Sequence, residues 1–269
     1  MIAGLPMYDP PGLSAATDAW WAGLARALRR HGIDDVPDRL SRFPSTAALW
    51  QRQDLLLSQA CGYDLVADYR TLLAYVATPC YRAEGCSGAQ HSSYIVVSAA
   101  APFETLEDLR GACCAVNEFN SHSGCNVLRA TFAPLARNGR FFGAIAVSGS
   151  HVASLDLIAS GRADVAAIDC VTYGLLARHG ARDLDRFRII ERTVSVPVGP
   201  YVTRINAADD RVARLRDALF EAMQDPSLDS TRDDLLIGGF DVVPMDQYER
   251  ISRMEADAAA LGYRDLTPE

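Results

Sequence analysis

An α/β fold is predicted for this chain by three segments in which a short apolar run ends in polar residues and a helical pattern follows. In the first, Ala115–Val116 leads through Asn117 to Ser121-His122-Ser123-Gly124, and Val127, Leu128, Phe132 and Leu135 then recur at helical spacing. In the second, Ala144–Val147 leads to Ser148-Gly149-Ser150-His151, followed by Val152, Leu155, Leu157 and Ile158. In the third, Ala163–Ile168 ends at Asp169-Cys170. Ligands of parallel α/β sheets bind at the carboxyl ends of the strands. Ser121, His122, Ser123, Ser150, His151 and Asp169 are therefore expected to meet at one cleft.

The first loop places two hydroxyls and a glycine where a helix begins. The first amides of a helix have no intrahelical partner and the macrodipole is positive there, which suits an anion. Serine and asparagine also cap helices without any ligand, and for a single such loop that reading stands beside the anion site. Asp169 likewise either accepts from a protonated ligand oxygen or caps the helix after it.

The remaining elements follow in order. A helix is expected over Leu13–His31, with Ser14 as its cap, Gly32 as its stop, and Trp20, Leu24 and Leu28 facing the core. After Pro37–Pro44 a helix bearing Leu49 and Trp50 leads to the strand Leu55–Leu57, and Ser58–Tyr63 forms the loop at its end. Tyr8, Cys61 and Tyr63 sit at strand ends of this first part, as ligand contacts or as ordinary half-buried side chains. Ser93–Val97 and Ser195–Val202 have the character of strands that cross between two parts of the chain, with helices near Asp210–Met223 and Met245–Leu261 completing the first part. The expected lobes are 1–98 with 198–269, and 99–197.

Composition narrows the function. Net charge is −8, from 26 basic and 34 acidic residues, with no basic stripe, which argues against a nucleic-acid partner. It leaves an anionic ligand open, because local dipoles can hold one in an acidic protein. No apolar run reaches the length of a membrane span. The seven cysteines contain no C-x-x-C pair, so no structural zinc, other metal or cofactor is expected. Cys80 and Cys86 could close a small disulfide in an oxidising compartment, while Cys113, Cys125 and Cys170 read as small buried hydrophobes.

The order S-x-S-G, then G-S-H, then G-R-A-D-V-A-A-I-D resembles the substrate-binding proteins of phosphate, phosphite and phosphonate ABC importers. Gly4–Tyr8 sits where their first strand would be, and Leu106–Gly111 matches their L-x-D-L-x-G lead into the second lobe. The resemblance implies a two-lobed, type 2 periplasmic-binding fold, with a mixed, mostly parallel sheet in each lobe and two hinge crossings. It implies an oxyanion bound between the lobes by Ser121, the His122 amide, Ser123, Gly124 and His151. The partners it implies are that small oxyanion and an ABC permease, for a protein acting as a monomer in the periplasm.

The departures are informative. Cys61 stands where the family carries an aromatic residue, His91 aligns with a second pocket tyrosine, and Gly199 leaves no acid for a ligand amine in the second crossing. The anion site is kept and the rest of the pocket is rebuilt. The N-terminus runs from Met1 straight into the first strand with no leader pattern, so the cytoplasm is the alternative location. In that setting a lyase using His151 with Asp169 or Cys61, or a ligand sensor, is the alternative function.

Overall fold

The computed structural model describes residues 1–10 and 12–266. The chain forms two compact units, one of Met1–Gln90 with Pro197–Met245 and one of His91–Val196 with Asp246–Glu269.

Along the chain, β1 (Ile2–Gly4), α1 (Ser14–Arg30), α2 (Thr46–Trp50), β2 (Leu55–Gln59), α3 (Gly62–Val66) and β3 (Leu73–Tyr81) belong to the first unit. β4 (Gln90–His91) marks the passage to the second, which holds β5 (Ser93–Ser98), β6 (Cys113–Val116), α4 (Val127–Phe132) and β7 (Ala144–Val147). There follow α5 (His151–Ala159), β8 (Val165–Asp169), α6 (Cys170–Arg178) and β9 (Phe187–Arg192). The chain returns at β10 (Val196–Pro197) to add β11 (Tyr201–Arg204), α7 (Asp209–Ala222), α8 (Asp229–Asp234) and β12 (Ile237–Asp241) to the first unit. It ends in α9 (Met245–Ala260), which passes to the second unit at Asp246.

In the first unit the sheet order is β1-β2-β11-β3-β12. Trp20, Leu24 and Leu28 of α1 are fully buried, as their spacing predicted. The Trp20 indole donates to the Tyr201 hydroxyl at 3.1 Å and stacks on Phe240, so a polar tip is satisfied inside an apolar contact. Ser14 does not cap α1. Leu13 holds that position, buried and without a side-chain bond, and its amide closes a turn onto the Pro10 carbonyl. At the other end Gly32 takes a φ of +68°, the left-handed conformation that lets the helix stop.

In the second unit the order is β7-β6-β8-β5-β9. Alternate residues of three strands (Ile95 and Val97, Cys114 and Val116, Val165 and Ala167) join Leu128, Phe132, Phe141 and Phe142 in one core. Each large side chain buried in this way contributes about 1.5–3 kcal/mol. Every residue of the central β8 is buried, while β7, at the edge, is half-exposed.

Both sheets are mixed, with β1, β2 and β3 of the first and β7, β6, β8 and β9 of the second running one way, and one expectation, the lobe boundary, needs correction. β1–β2, β6–β7 and β6–β8 are parallel, whereas β11 runs against both β2 and β3, β12 against β3, and β5 against both β8 and β9. β5 and β11, the strands by which the chain enters each unit, point opposite to the strands beside them. Residues 246–266, expected with the first lobe, belong to the second unit, so the chain passes between units three times rather than twice. The cause is local to the second unit. Ala258, Tyr263 and Leu266 join its core, and the buried Arg129 donates to Glu255 at 2.9 Å and to the Arg264 carbonyl at 2.8 Å.

Cys80 and Cys86 are not joined by a disulfide. Cys125 and Cys170 are buried, whereas Cys113 is only partly so and its neighbour Cys114 turns inward instead. Burial pushes the Cys114 and Cys125 thiols up, the latter to about 11, which keeps both protonated and inert.

Candidate functional site

The loop after β6 winds into a π turn, His122–Asn126, instead of entering an α-helix directly. The Asn126 amide reaches back five residues to the Ser121 carbonyl at 2.9 Å, and the Val127 amide does the same to His122. This wide turn is a geometry that recurs at functional sites. Ser121 caps it. Its Oγ accepts from the Gly124 amide at 3.2 Å and from Asn117 Nδ2 at 3.0 Å. Both bonds are accepted ones, so the Ser121 hydroxyl hydrogen is left to donate elsewhere. Gly124 is required sterically. A Cβ there would lie 1.8 Å from Asn117 Oδ1.

Ser123, two residues on, has the opposite arrangement. Its Oγ lies 2.9 Å from His151 Nε2, and its carbonyl accepts from Ser93 Oγ at 2.9 Å. His151 opens α5 just after Ser150, which caps that helix by accepting from the Ala153 amide. His151 Nδ1 lies 3.1 Å from the Ala167 carbonyl, which can only accept. Nδ1 therefore carries the hydrogen, Nε2 carries the lone pair, and the Ser123 hydroxyl donates to it. Burial lowers the His151 pKa, with Asp169 and the Ala167 bond opposing, so the ring is neutral at neutral pH.

Asp169, at the end of β8, caps α6 by accepting from the Val171 and Thr172 amides with Oδ1, at 2.8 and 3.0 Å. Its Oδ2 lies 2.7 Å from His91 Nδ1, and both side chains are buried. Burial alone would raise Asp169, but the His91 charge and hydrogen bonding outweigh it and hold the carboxyl at about 2. His91 is raised in turn, its desolvation overcome by Asp169. His122 is buried and neutral, pushed down to about 3 first by desolvation and then by the His91 charge. Asn126 fixes its tautomer. Arg129 Nη2 donates to Asn126 Oδ1, so Asn126 Nδ2 donates both to the Ile251 carbonyl and to His122 Nδ1 at 3.3 Å.

Ser121, His122, Ser123, Gly124, Ser150, His151, Asp169 and His91 thus all lie on the second unit. Ser121, Ser150 and the Oδ1 side of Asp169 are caps, as the plainer reading of each allowed. An acid–base pair of His151 with Asp169 is not formed, because His151 turns Nδ1 to Ala167 and Asp169 pairs with His91. Asn117, Ser93 and Asn126 hold the turn without any signal in the sequence beyond their polarity.

Tyr8, Cys61 and Tyr63 lie on the first unit. Tyr8 packs edge-on to Tyr81, and with Trp20, Gln59 and Tyr201 it lines a cavity of about 20 Å³, room for a single water. Cys61 immediately precedes α3 and Tyr63 lies within it, both partly exposed and outside that cavity. Gly199 is glycine for a close approach, since a Cβ there would lie 2.5 Å from the Ala60 carbonyl. Its own carbonyl accepts from Gln59 Nε2 at 2.9 Å.

Among the described residues no helix is long and apolar enough to cross a membrane, and no cluster of three His, Cys, Asp or Glu is placed to hold a metal. No curated protein matches the chain in sequence. Solved structures do match in fold. PhnD1 from Prochlorococcus marinus, in complex with methylphosphonate, aligns with a TM-score of 0.75 at 15% identity, over 96% of this chain and 98% of that one. The binding-protein component of an ABC phosphonate transporter from Pseudomonas aeruginosa aligns at 0.74 and 17%, over 97% and 87%. A Xanthomonas citri protein bound to ATP aligns at 0.71 and 16%, over 97% of each chain. These likenesses show the periplasmic-binding-protein fold. Residues 2–248 match the profile of the periplasmic substrate-binding proteins of phosphonate ABC transporters, and the chain belongs to that family.

Proposed function

We propose that the π turn of the second unit is where this protein captures a small phosphorus oxyanion, for delivery to an ABC permease. The observation that carries the reading is the Ser121–Gly124 turn itself. One serine hydroxyl is left as a donor, a second is shared with the half-buried His151, and the amides of a turn opening lie alongside. Hydrogen bonds from such groups to an anion are about twice as strong as neutral ones. Ser121, Ser123, the amides of His122 and Ser123, and His151 are the proposed contacts. Tyr8, Cys61 and Tyr63 are carried as candidates for the organic tail.

The tail is read as uncharged. A ligand amine needs a carboxylate, and Asp169 has committed one oxygen to two amides and the other to His91. The family's role supports a binding protein working in the periplasm.

A thermal-shift screen of methylphosphonate, phosphite, phosphate, aminoalkylphosphonates, sulfate and small carboxylates tests this. A ligand at a hundred times its dissociation constant stabilises by about 2.7 kcal/mol. A rise with a phosphorus oxyanion supports the reading. No rise with any of them, or a rise with carboxylates alone, overturns it.

A further inference from the structure

The Ser123–His151 pair sets a condition on any oxyanion that reaches it. With Nδ1–H held by the Ala167 carbonyl, His151 presents a lone pair at Nε2, and the single hydroxyl hydrogen of Ser123 is already directed there. If Ser123 turns that hydrogen to the ligand, the Nε2 lone pair faces oxygen lone pairs on Ser123 and on the ligand with nothing between them. One added proton removes the conflict. It resides either on Nε2, making an imidazolium that donates, or on the ligand, whose P–OH then donates to Nε2.

We infer that the site binds its oxyanion together with one proton, so that the species captured is a singly protonated phosphonate-type anion or its equivalent, a dianion plus a protonated His151. This rests on the proposed function above and adds the protonation state of the ligand to it. Two charged groups act on His151. Asp169, at the end of β8, favours the added proton, and His91, on β4, opposes it while being paired to Asp169 itself. His122, beside Ser123 on the turn, is neutral and offers no competing charge.

The test is calorimetric titration of the full chain with methylphosphonate at a pH where the free ligand is a dianion, in two buffers of different ionisation enthalpy. The slope of apparent enthalpy against buffer enthalpy counts protons. The expected result is uptake of about one proton per bound ligand, with affinity falling about tenfold per pH unit above the second ionisation of the ligand. His151→Gln, which keeps an amide donor but does not titrate, is expected to bind with no uptake and with an affinity that no longer falls with pH. Binding by the wild type without proton uptake overturns the inference and leaves the anion site standing. Uptake unchanged in His151→Gln overturns the assignment to His151. No binding of methylphosphonate, phosphite or phosphate overturns the proposed function, and this inference with it.

Discussion

Ser123 Oγ and His151 Nε2 lie 2.9 Å apart, brought together by two loops that follow neighbouring parallel strands, β6 and β7. The register of these strands, Val116 opposite Val147, ends both at one level, and the Ser148 and Gly149 amides then bond to the Val116 and Asn117 carbonyls. The second loop is thereby fastened to the root of the first. The hydroxyl and the imidazole meet because the backbone beneath them is already joined.

Gly124→Ala is expected to destabilise the protein by about 1–3 kcal/mol, as overpacking does. The new methyl would occupy the place of Asn117 Oδ1, so Asn117 must leave Ser121 and the cap is weakened. Thermal denaturation checks this. An unchanged melting temperature would mean that Asn117 moves freely and does not brace the turn.

His91→Ala is expected to cost about 3–5 kcal/mol, since it leaves the buried Asp169 carboxylate without its counter-charge. The two amides that remain on Oδ1 favour the lower end of that range. Adding Asp169→Asn to His91→Ala should recover part of the loss, measured by urea denaturation of the single and double variants. Equal stability of the two variants would show that no charge was stranded.

Acid should destabilise the fold well before the carboxylates titrate. His122, held down to about 3, and His151, also lowered, refuse a proton that the unfolded chain accepts below about pH 6.5. The unfolded state then binds more protons, so stability falls as pH falls from about 6.5. For His122 alone the loss at pH 5 is about 2 kcal/mol. His91 and Asp169 act in the other sense. The raised His91 stabilises below its unfolded pKa and loses that effect as pH rises through its folded one, and Asp169 contributes until pH falls towards about 2. Denaturation from pH 7 to 5 should be less pH-dependent in His122→Asn than in the wild type. An identical slope would place the His122 proton elsewhere.

The commitment of Asp169 to His91 predicts little reward for a ligand amine. 2-Aminoethylphosphonate and ethylphosphonate should bind within about fivefold of each other, the range of a solvent-screened ion pair. A preference for the amine of a hundredfold would show that a carboxylate is available to it.

Much of this was legible from periodicity. Trp20, Leu24 and Leu28 mark the buried face of α1. The apolar runs ahead of the loops that carry Ser121 and Ser150, and the run that ends at Asp169, are the strands β6, β7 and β8. What escaped is what spacing does not encode. An apolar run such as Ser93–Ser98 has no direction written in it, so the antiparallel course of β5 between β8 and β9 could not be read. The amphipathic face of α9 demanded an apolar partner without saying which. Its place was decided by Arg129, 126 residues away, needing Glu255. Asp169 could be read as a cap, but its second oxygen goes to His91, a residue that alignment had placed only as a substitute for a tyrosine. The π turn was likewise hidden, because Ser-His-Ser-Gly serves equally well to open an α-helix.

The most direct test of the central claim is calorimetric titration of methylphosphonate into the wild type and Ser123→Ala side by side. If the turn holds the anion, the wild type binds one equivalent and the variant loses about tenfold to a hundredfold in affinity, the worth of one hydrogen bond to a charged group, with its fold intact by thermal denaturation. Equal affinity in the two proteins would contradict the account, and Ser123 would then be a partner of His151 and nothing more.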